Sequence, residues 1–238
     1  MDITLIKTIS DTVFKEGKDV IESWFAVISR GHKGLSAGEL SQRGNNALLY
    51  GLRFVLYMAF ASLLLEIPTE ALMGIKYENK AFVLVSVAES YIEYLGCGIA
   101  FHTAMRVFGG KGKFRASLIV SCLLTAYIPV MGFFLIPTQK YSLPLIKKSS
   151  NILTAASDLL AVARNWSAWD RIVCSFSFLG ALVVLALFVT AVFNSLRALH
   201  QLSWTRAALS CVLGLIFFGV LISFIAAPLL QGILQAFS

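Results

Sequence analysis

Two carboxylates within an apolar stretch are the residues whose type and spacing best suit chemistry. Glu89 and Glu93 stand four residues apart in the segment from Ala81 to Met105. Residues at that spacing project from the same face of a helix. An ionised carboxylate at the centre of a bilayer costs roughly 2.5 to 3.5 kcal/mol on insertion scales, so we expect both side chains to face protein or water. The pair predicts either a proton or cation site or a neutral pair that hydrogen-bonds to neighbouring helices.

Three further polar side chains are candidates for the same intramembrane site: Tyr94, Arg53 and Tyr127. Arg53 lies about two helical turns inside the preceding apolar segment. Its guanidinium could pair with Glu93, or its aliphatic stem could let the charge reach towards the lipid headgroups. Both alternatives stay open on the sequence alone.

A turn rich in glycine and lysine follows the acidic segment, with Gly109, Gly110 and Gly112 interleaved with Lys111 and Lys113. It lacks the spacing of a P-loop and a preceding strand, so a nucleotide site is not predicted. Glycines permit a tight chain reversal, and basic residues favour the cytoplasmic side of a membrane. We therefore expect a cytoplasmic turn between two spans.

The histidines and cysteines predict no metal site, no cofactor and no catalytic residue. His102 lies in an apolar segment, and His32 and His200 are expected in cytoplasmic loops, whereas zinc sites need three or four convergent ligands. The cysteines have no paired spacing and are interpreted as small core residues: Cys97, Cys122, Cys174 and Cys211.

The elements that carry these residues are apolar stretches long enough to cross a membrane. Hydrophobic residues make up 58% of the chain and charged residues only 14%, against roughly 25% charged in soluble domains. About 20 apolar residues suffice to cross a bilayer as a helix. The sequence predicts an all-α polytopic membrane protein, a bundle of about five transmembrane helices and not a soluble enzyme. The spans are placed at Ala47–Leu65, Ala81–Met105, Ala116–Ile136, Ile172–Leu196 and Ala207–Leu234.

The remaining segments divide into an N-terminal region and one long loop. Residues 1–46 read as a cytoplasmic amphipathic segment and linker, with one or two helices on the membrane surface. Residues 47–238 form the five-span domain, with an extracytoplasmic loop at 137–171. The second half of that loop predicts a short interfacial helix that ends at Trp166 and Trp169, which fit an aromatic belt.

Basic residues set the expected orientation. Twelve Lys and Arg residues lie in the N-terminal segment and the second and fourth loops, against seven on the opposite side. The positive-inside rule then puts the N-terminus in the cytoplasm and the C-terminus outside. The net charge of +7 is better explained by this bias and by anionic lipid than by nucleic acid, which is not predicted as a partner.

The last predicted span carries small residues on one stripe, at intervals of four or five positions: Ser210, Gly214, Gly219, Ser223 and Ala227. Small residues allow close approach of helix backbones in membranes. The stripe predicts close packing, either within the chain or against a partner or second copy. Pro129 and Pro228 should bend the third and fifth spans.

These residues also suggest a family. The run from Gly109 to Phe114, followed by Tyr127-Ile128-Pro129 in the next span, resembles the core of the Yip1 domain. That resemblance implies a cytoplasmic N-terminal region, five spans and a non-enzymatic role. Eukaryotic relatives act in membrane trafficking with small GTPases, but their acidic-aromatic element is absent from residues 31–46. The short N-terminal region is more similar to bacterial members, which implies the inner membrane.

Two hypotheses about function follow. The first is a membrane-embedded scaffold or accessory protein that acts through helix–helix and lipid contacts, with other membrane proteins or a second copy as partners. The second is a small transporter or a proton or ion conduit that uses Glu89 and Glu93.

Overall fold

The computed structural model is helical in all its regular elements, over the part of the chain that it describes: residues 17–29, 46–72, 82–148, 166–226, 228–229 and 232. We label the helices in chain order: α1 (residues 17–29), α2 (Ala47–Leu72), α3 (Phe82–Val107), α4 (Phe114–Leu124), α5 (Tyr127–Lys148), α6 (Ala168–His200) and α7 (Trp204–Leu221). A π-helical segment, Ile222–Ala226, continues α7. The predicted all-α class is confirmed.

Within the part of the chain that the structure describes, four stretches are long and apolar enough to cross a membrane: Ala47–Leu65, Phe114–Thr138, Ala168–His200 and Trp204–Phe224. They correspond to the first, third, fourth and fifth predicted spans. The second is present as α3, a helix of 26 residues, although it is not among these four. Among the described helices, α3 packs most extensively against α7, which places it inside the bundle.

The third span is broken, which corrects the expectation of one bent helix over Ala116–Ile136. Helix α4 ends at Leu124, and α5 begins at Tyr127. Pro129 explains the position, because a proline ring displaces the carbonyl four residues earlier and has no N–H to bond it. That carbonyl belongs to Thr125, which accepts a 3.0 Å bond from the amide of Ile128 instead.

The backbone of the last span is also irregular a few residues before a proline, Pro228. Its α-helical part ends at Leu221, and the π-helical segment follows directly. Pro228 would leave the carbonyl of Phe224, within that segment, without its usual partner. Irregular backbone therefore lies a few residues before both Pro129 and Pro228, near the positions where the sequence predicted bends.

The N-terminal helix is docked on the bundle. Val20 and Val27 of α1 are 6% and 2% exposed and belong to the core. The indole N–H of Trp24 donates a 2.9 Å hydrogen bond to the carbonyl of Ala126, in the break between α4 and α5. The amphipathic pattern is thus realised, but its apolar face contacts protein. The other residues of the predicted N-terminal segment and linker, 1–16 and 30–45, lie outside the described part of the chain.

The long loop begins later than expected. Helix α5 continues through Pro137 to Lys148, whereas the loop was predicted from residue 137. The interfacial helix predicted near residues 152–163 lies outside the described ranges. Of the two predicted belt tryptophans, Trp169 is 71% exposed, and Trp166 is half-buried.

Candidate functional site

The two carboxylates of α3 are exposed on the surface of the described bundle. Glu89, Glu93 and Gly96 follow the spacing that aligns residues on one helical face. A methyl group built at Gly96 would lie 2.8 Å from Leu221 of α7, so this face of α3 packs against α7. The carboxylates therefore continue the stripe that contacts α7.

The two helices run in opposite directions, which sets the level of the carboxylates. Gly214 of α7 lies against Phe101, and Leu221 lies against Gly96. The segment Ile222–Ala226 continues in the direction of Glu93 and contacts α3. The acidic stripe thus lies beside the π-helical backbone, where regular packing of α7 has ended.

Arg53 belongs to α2, and α2 packs against a different side of α3 from the one that carries the carboxylates. The hydroxyl of Tyr91 donates a 2.7 Å bond to the carbonyl of Leu52, so Tyr91 faces α2. Glu89 and Glu93 are each two residues from Tyr91, about 200° away around the helix. Arg53 is exposed on α2, and this arrangement favours the interpretation in which its charge reaches outward.

The two candidate tyrosines have different surroundings. Tyr94 is half-buried one residue after Glu93, and its carbonyl accepts a bond from the hydroxyl of Ser121. Tyr127 is 2% exposed. Its hydroxyl donates to the carbonyl of Val27 at 3.4 Å, and its ring packs edge-on against Phe188 at 5.7 Å. Tyr127 thus belongs to the contact between α1, α5 and α6, and we remove it from the acidic site.

The glycine-rich turn joins α3 to α4 as predicted. Gly109 has a φ of +85°, a conformation that residues with a Cβ adopt at a cost. The amide of Gly110 bonds the carbonyl of Met105, and a guanidinium nitrogen of Arg106 donates to the carbonyl of Gly110 at 3.0 Å. These bonds close the turn tightly at the end of α3.

The turn covers a buried histidine that the sequence did not single out. His200 was expected in a loop, but it is the last residue of α6 and is 0% exposed. A methyl group built at Gly112 would lie 2.9 Å from three ring atoms of His200, and one built at Gly110 would lie 2.7 Å from Nδ1. Only glycine leaves room for the ring at these positions. The amide of Lys111 also bonds the His200 carbonyl at 3.0 Å.

His200 is one end of a three-residue polar cluster formed by α3, α4 and α6. The hydroxyl of Ser117 lies 3.0 Å from Nε2 of His200 and 2.9 Å from Nδ1 of His102. A hydroxyl has one proton to donate, so at least one of the two imidazoles donates its ring N–H to Ser117. Nδ1 of His200 is buried with no hydrogen-bond partner. The cluster ties three helix ends together through one serine.

This cluster does not suit nucleophilic catalysis. A serine bonded to a histidine is the usual beginning of an activated nucleophile. Ser117, however, is 0% exposed, so a substrate has no access to its oxygen. Within the described residues, no group of three His, Cys, Asp or Glu side chains could hold a metal ion. The arrangement supports a structural or proton-sharing role.

The clearest sequence signal for His200 was the Gly-Gly-Lys-Gly-Lys turn. We interpreted its glycines through backbone conformation, which holds for Gly109. Gly110 and Gly112 instead make room for the side chain of His200, which follows them by 90 and 88 residues. The partner could not be named from the turn, because many distant residues could have filled that space.

The small-residue stripe of the last span divides into two parts. Ser210 and Gly214 are buried, and a methyl group at Gly214 would lie 2.7 Å from the Phe101 ring. Gly219 and Ser223 are exposed, and no atom lies within 4 Å of a methyl group built at Gly219. Packing within the chain therefore accounts for the first part only. Ala227 lies outside the described residues.

Comparison with known proteins adds no relative. A scan against protein-family models, a search of curated proteins and a search of solved structures each find no match to this chain. The resemblance to the Yip1 domain therefore depends on the glycine-rich turn and on Tyr127-Ile128-Pro129, and it stays a prediction.

Proposed function

We propose that this protein is a membrane-embedded scaffold or accessory protein of the Yip1 type, which acts through helix–helix and lipid contacts. The observation that carries the proposal is the outward position of Glu89 and Glu93 on α3. Glu93 lies 14 residues from the end of α3 at Val107, about 21 Å along a helix. A hydrocarbon core is about 30 Å thick, so Glu93 would lie within it with α3 as a membrane span.

Exposed carboxylates at that depth need a polar neighbour. Ionisable residues within membranes almost always face a bundle interior, water or a paired group. Here they lie at the rim of the contact between α3 and the π-helical end of the last span. A helix of another membrane protein or of a second copy that packs beside this rim could donate hydrogen bonds to the carboxylates.

The accompanying topology is part of the same proposal. We propose that α3 crosses the membrane as a fifth span, with the N-terminus in the cytoplasm and the C-terminus outside. The position of α3 alongside α7 supports this, as does the bias of basic residues. The bacterial inner membrane is the proposed location.

The test is purification in mild detergent of the wild type and of a variant with Glu89→Gln and Glu93→Gln. Glutamine keeps the shape of the side chain and is easier to bury than an ionised glutamate. The wild type should elute with a stoichiometric membrane partner or as an oligomer, and the variant should retain about a tenth or less of that association, since hydrogen bonds to charged groups contribute ~1.5–3 kcal/mol. Glu22→Gln on α1, where Glu22 is exposed, is the matched control.

The outcome separates the scaffold from a self-contained protein. A wild type that is monomeric and without a membrane partner at every detergent concentration would contradict the proposal. So would a variant that keeps its association unchanged while Glu22→Gln behaves as wild type.

A second candidate function is a small transporter or a proton or ion conduit. The observation in its favour is the π-helical segment beside the carboxylates, because such segments are frequent at functional sites and alter the pairing of backbone carbonyls. Glu93→Gln should then abolish pH-dependent flux in proteoliposomes and leave the elution profile unchanged. Wild-type vesicles with no flux above empty vesicles, for protons or common cations, would exclude it.

A further inference from the structure

An open cavity of about 380 Å³ lies at the end of α6 and is lined by Asn194, Arg197, Ala198, Gln201 and Leu202. These residues follow the spacing of one helical face over the last two turns of α6. Three of them carry N–H donors: one guanidinium and two carboxamides. A cavity with this lining suits an anionic ligand with several acceptor oxygens.

The shape of the cavity comes from the way in which α6 ends. Gln201 adopts a left-handed conformation, with φ 55° and ψ 38°. Its amide bonds the carbonyl of Ala198, and the amide of Leu202 bonds the carbonyl of Arg197. Helix C-termini repel anions through free carbonyls. Here the carbonyls of Arg197 and Ala198 accept these hydrogen bonds, and the carbonyl of His200 accepts one from the amide of Lys111.

The surroundings of the cavity are basic. The Lys111–His200 bond brings the glycine-rich turn against the end of α6. Exposed Lys111, Lys113 and Arg115 extend from that turn and the start of α4, and Arg206 is exposed at the start of α7. Residues 94–157 and 171–238 contain no Asp or Glu. Neither of these two stretches supplies an Asp or Glu side chain that could pair with the guanidinium of Arg197.

An aromatic pair fixes the level of the cavity in the membrane. Trp204, at the start of α7, is 64% exposed, and its ring lies 5.5 Å from that of Phe193. Phe193 directly precedes Asn194. Exposed tryptophan at the end of an apolar span is typical of the headgroup level. The cavity therefore opens where lipid phosphates lie.

We propose that this cavity binds the phosphate of an anionic phospholipid headgroup. The guanidinium of Arg197 pairs with the phosphate oxygens, and the carboxamides of Asn194 and Gln201 donate to the remaining acceptors. Anionic lipid headgroups are attracted to basic groups near the cytoplasmic surface of membrane proteins. The inference depends on membrane embedding but not on the scaffold proposed above, because it uses neither Glu89 nor Glu93.

The test is native mass spectrometry of the purified full-length chain with phosphatidylglycerol or phosphatidylcholine, titrated in detergent micelles. The wild type should bind phosphatidylglycerol about ten- to a hundredfold more tightly than phosphatidylcholine, because both carry the same phosphodiester and only phosphatidylcholine adds a quaternary ammonium, which the guanidinium of Arg197 repels. Arg197→Gln should remove that preference. Arg197→Lys should keep part of it, because lysine retains the charge but not the bidentate geometry. Arg171→Gln makes the same change at the opposite end of α6, and it should keep the wild-type preference.

Three results would overturn the proposal. One is an unchanged preference in Arg197→Gln, measured on protein whose elution matches the wild type. Another is an equal loss in Arg171→Gln, which would indicate a general charge effect. The third is binding of inorganic phosphate as tight as that of phosphatidylglycerol, which would assign the cavity to a soluble anion. Should Arg197→Gln fail to fold, Arg197→Lys and Asn194→Ala carry the same comparison.

Discussion

At the scale of single residues, the space around His200 is tightly constrained. Its ring is enclosed by Gly110 and Gly112, and its Nε2 contacts Ser117. A side chain that is 0% exposed and surrounded in this way has no freedom to move aside. Substitutions that add a methyl group or remove a hydroxyl group there should lower the free energy of unfolding.

Gly112→Ala should destabilise the protein by about 1–3 kcal/mol, the usual cost of overpacking. The added methyl group would lie 2.9 Å from the His200 ring, and neither the ring nor the turn can shift freely. The measurement is the thermal unfolding midpoint in detergent. Gly219→Ala is the control, since no atom lies within 4 Å of its added methyl group, and alanine favours a helix. Equal effects of both substitutions would contradict the described packing.

Ser117→Ala should lower the free energy of unfolding by about 1–3 kcal/mol, because buried nitrogens of His102 and His200 lose their partner. Chemical unfolding in mixed micelles measures the difference. Ser203→Ala, at an exposed serine whose side chain makes no cap hydrogen bond, should leave the value unchanged. A Ser117→Ala protein as stable as the wild type would mean that the hydroxyl does not join the two rings.

At the scale of elements, the break between α4 and α5 determines where α1 docks. Ala126 directly precedes the first residue of α5, and its carbonyl accepts the indole N–H of Trp24. The hydroxyl of Tyr127 donates to the carbonyl of Val27, in the same helix as Trp24. The polar contacts of α1 thus converge on the point where the third span is interrupted.

Trp24→Phe should loosen α1, because the buried carbonyl of Ala126 loses its donor at a cost of about 1–3 kcal/mol. Hydrogen exchange of the amides in residues 17–29 should become faster, and exchange in α6 should stay the same. Ile21→Val trims a side chain that is 56% exposed, so it should not change exchange in α1. Unchanged exchange in Trp24→Phe would show that α1 is held by other contacts.

At the scale of the whole molecule, the position of α3 decides the topology. With α3 as a span, the helices that follow α1 cross an odd number of times, and the termini lie on opposite faces. If α3 did not cross, the four apolar stretches would bring both termini to the same face. The acidic stripe would then lie outside the hydrocarbon core.

We expect alkaline phosphatase fused after Ser238 to be active, because it folds only outside the cytoplasm. A fluorescent protein fused at the same position should be dark. Fusions after Val107, at the end of α3, should give the opposite pattern, because that end is expected in the cytoplasm. A fluorescent C-terminal fusion with inactive phosphatase would contradict five spans.

The sequence determined the class of the protein, the first span and the positions of irregular backbone. Apolar length sets what can cross a bilayer, and the first predicted span lies within α2, which begins at Ala47 as predicted and continues to Leu72. Proline acts locally on the carbonyl four residues earlier, so Pro129 and Pro228 predicted where α-helical structure would be disturbed. These properties depend on residues that are close in the chain.

Only the tertiary structure decided which of these residues meet. It joined His102, Ser117 and His200, gave Tyr127 to the contact with α1, and put Arg53 on another side of α3 from the carboxylates. The physical reason is that an apolar helix is hydrophobic on every side. Its pattern therefore does not indicate which face packs against protein, and the relative rotation of the helices follows from close packing of residues far apart in the chain.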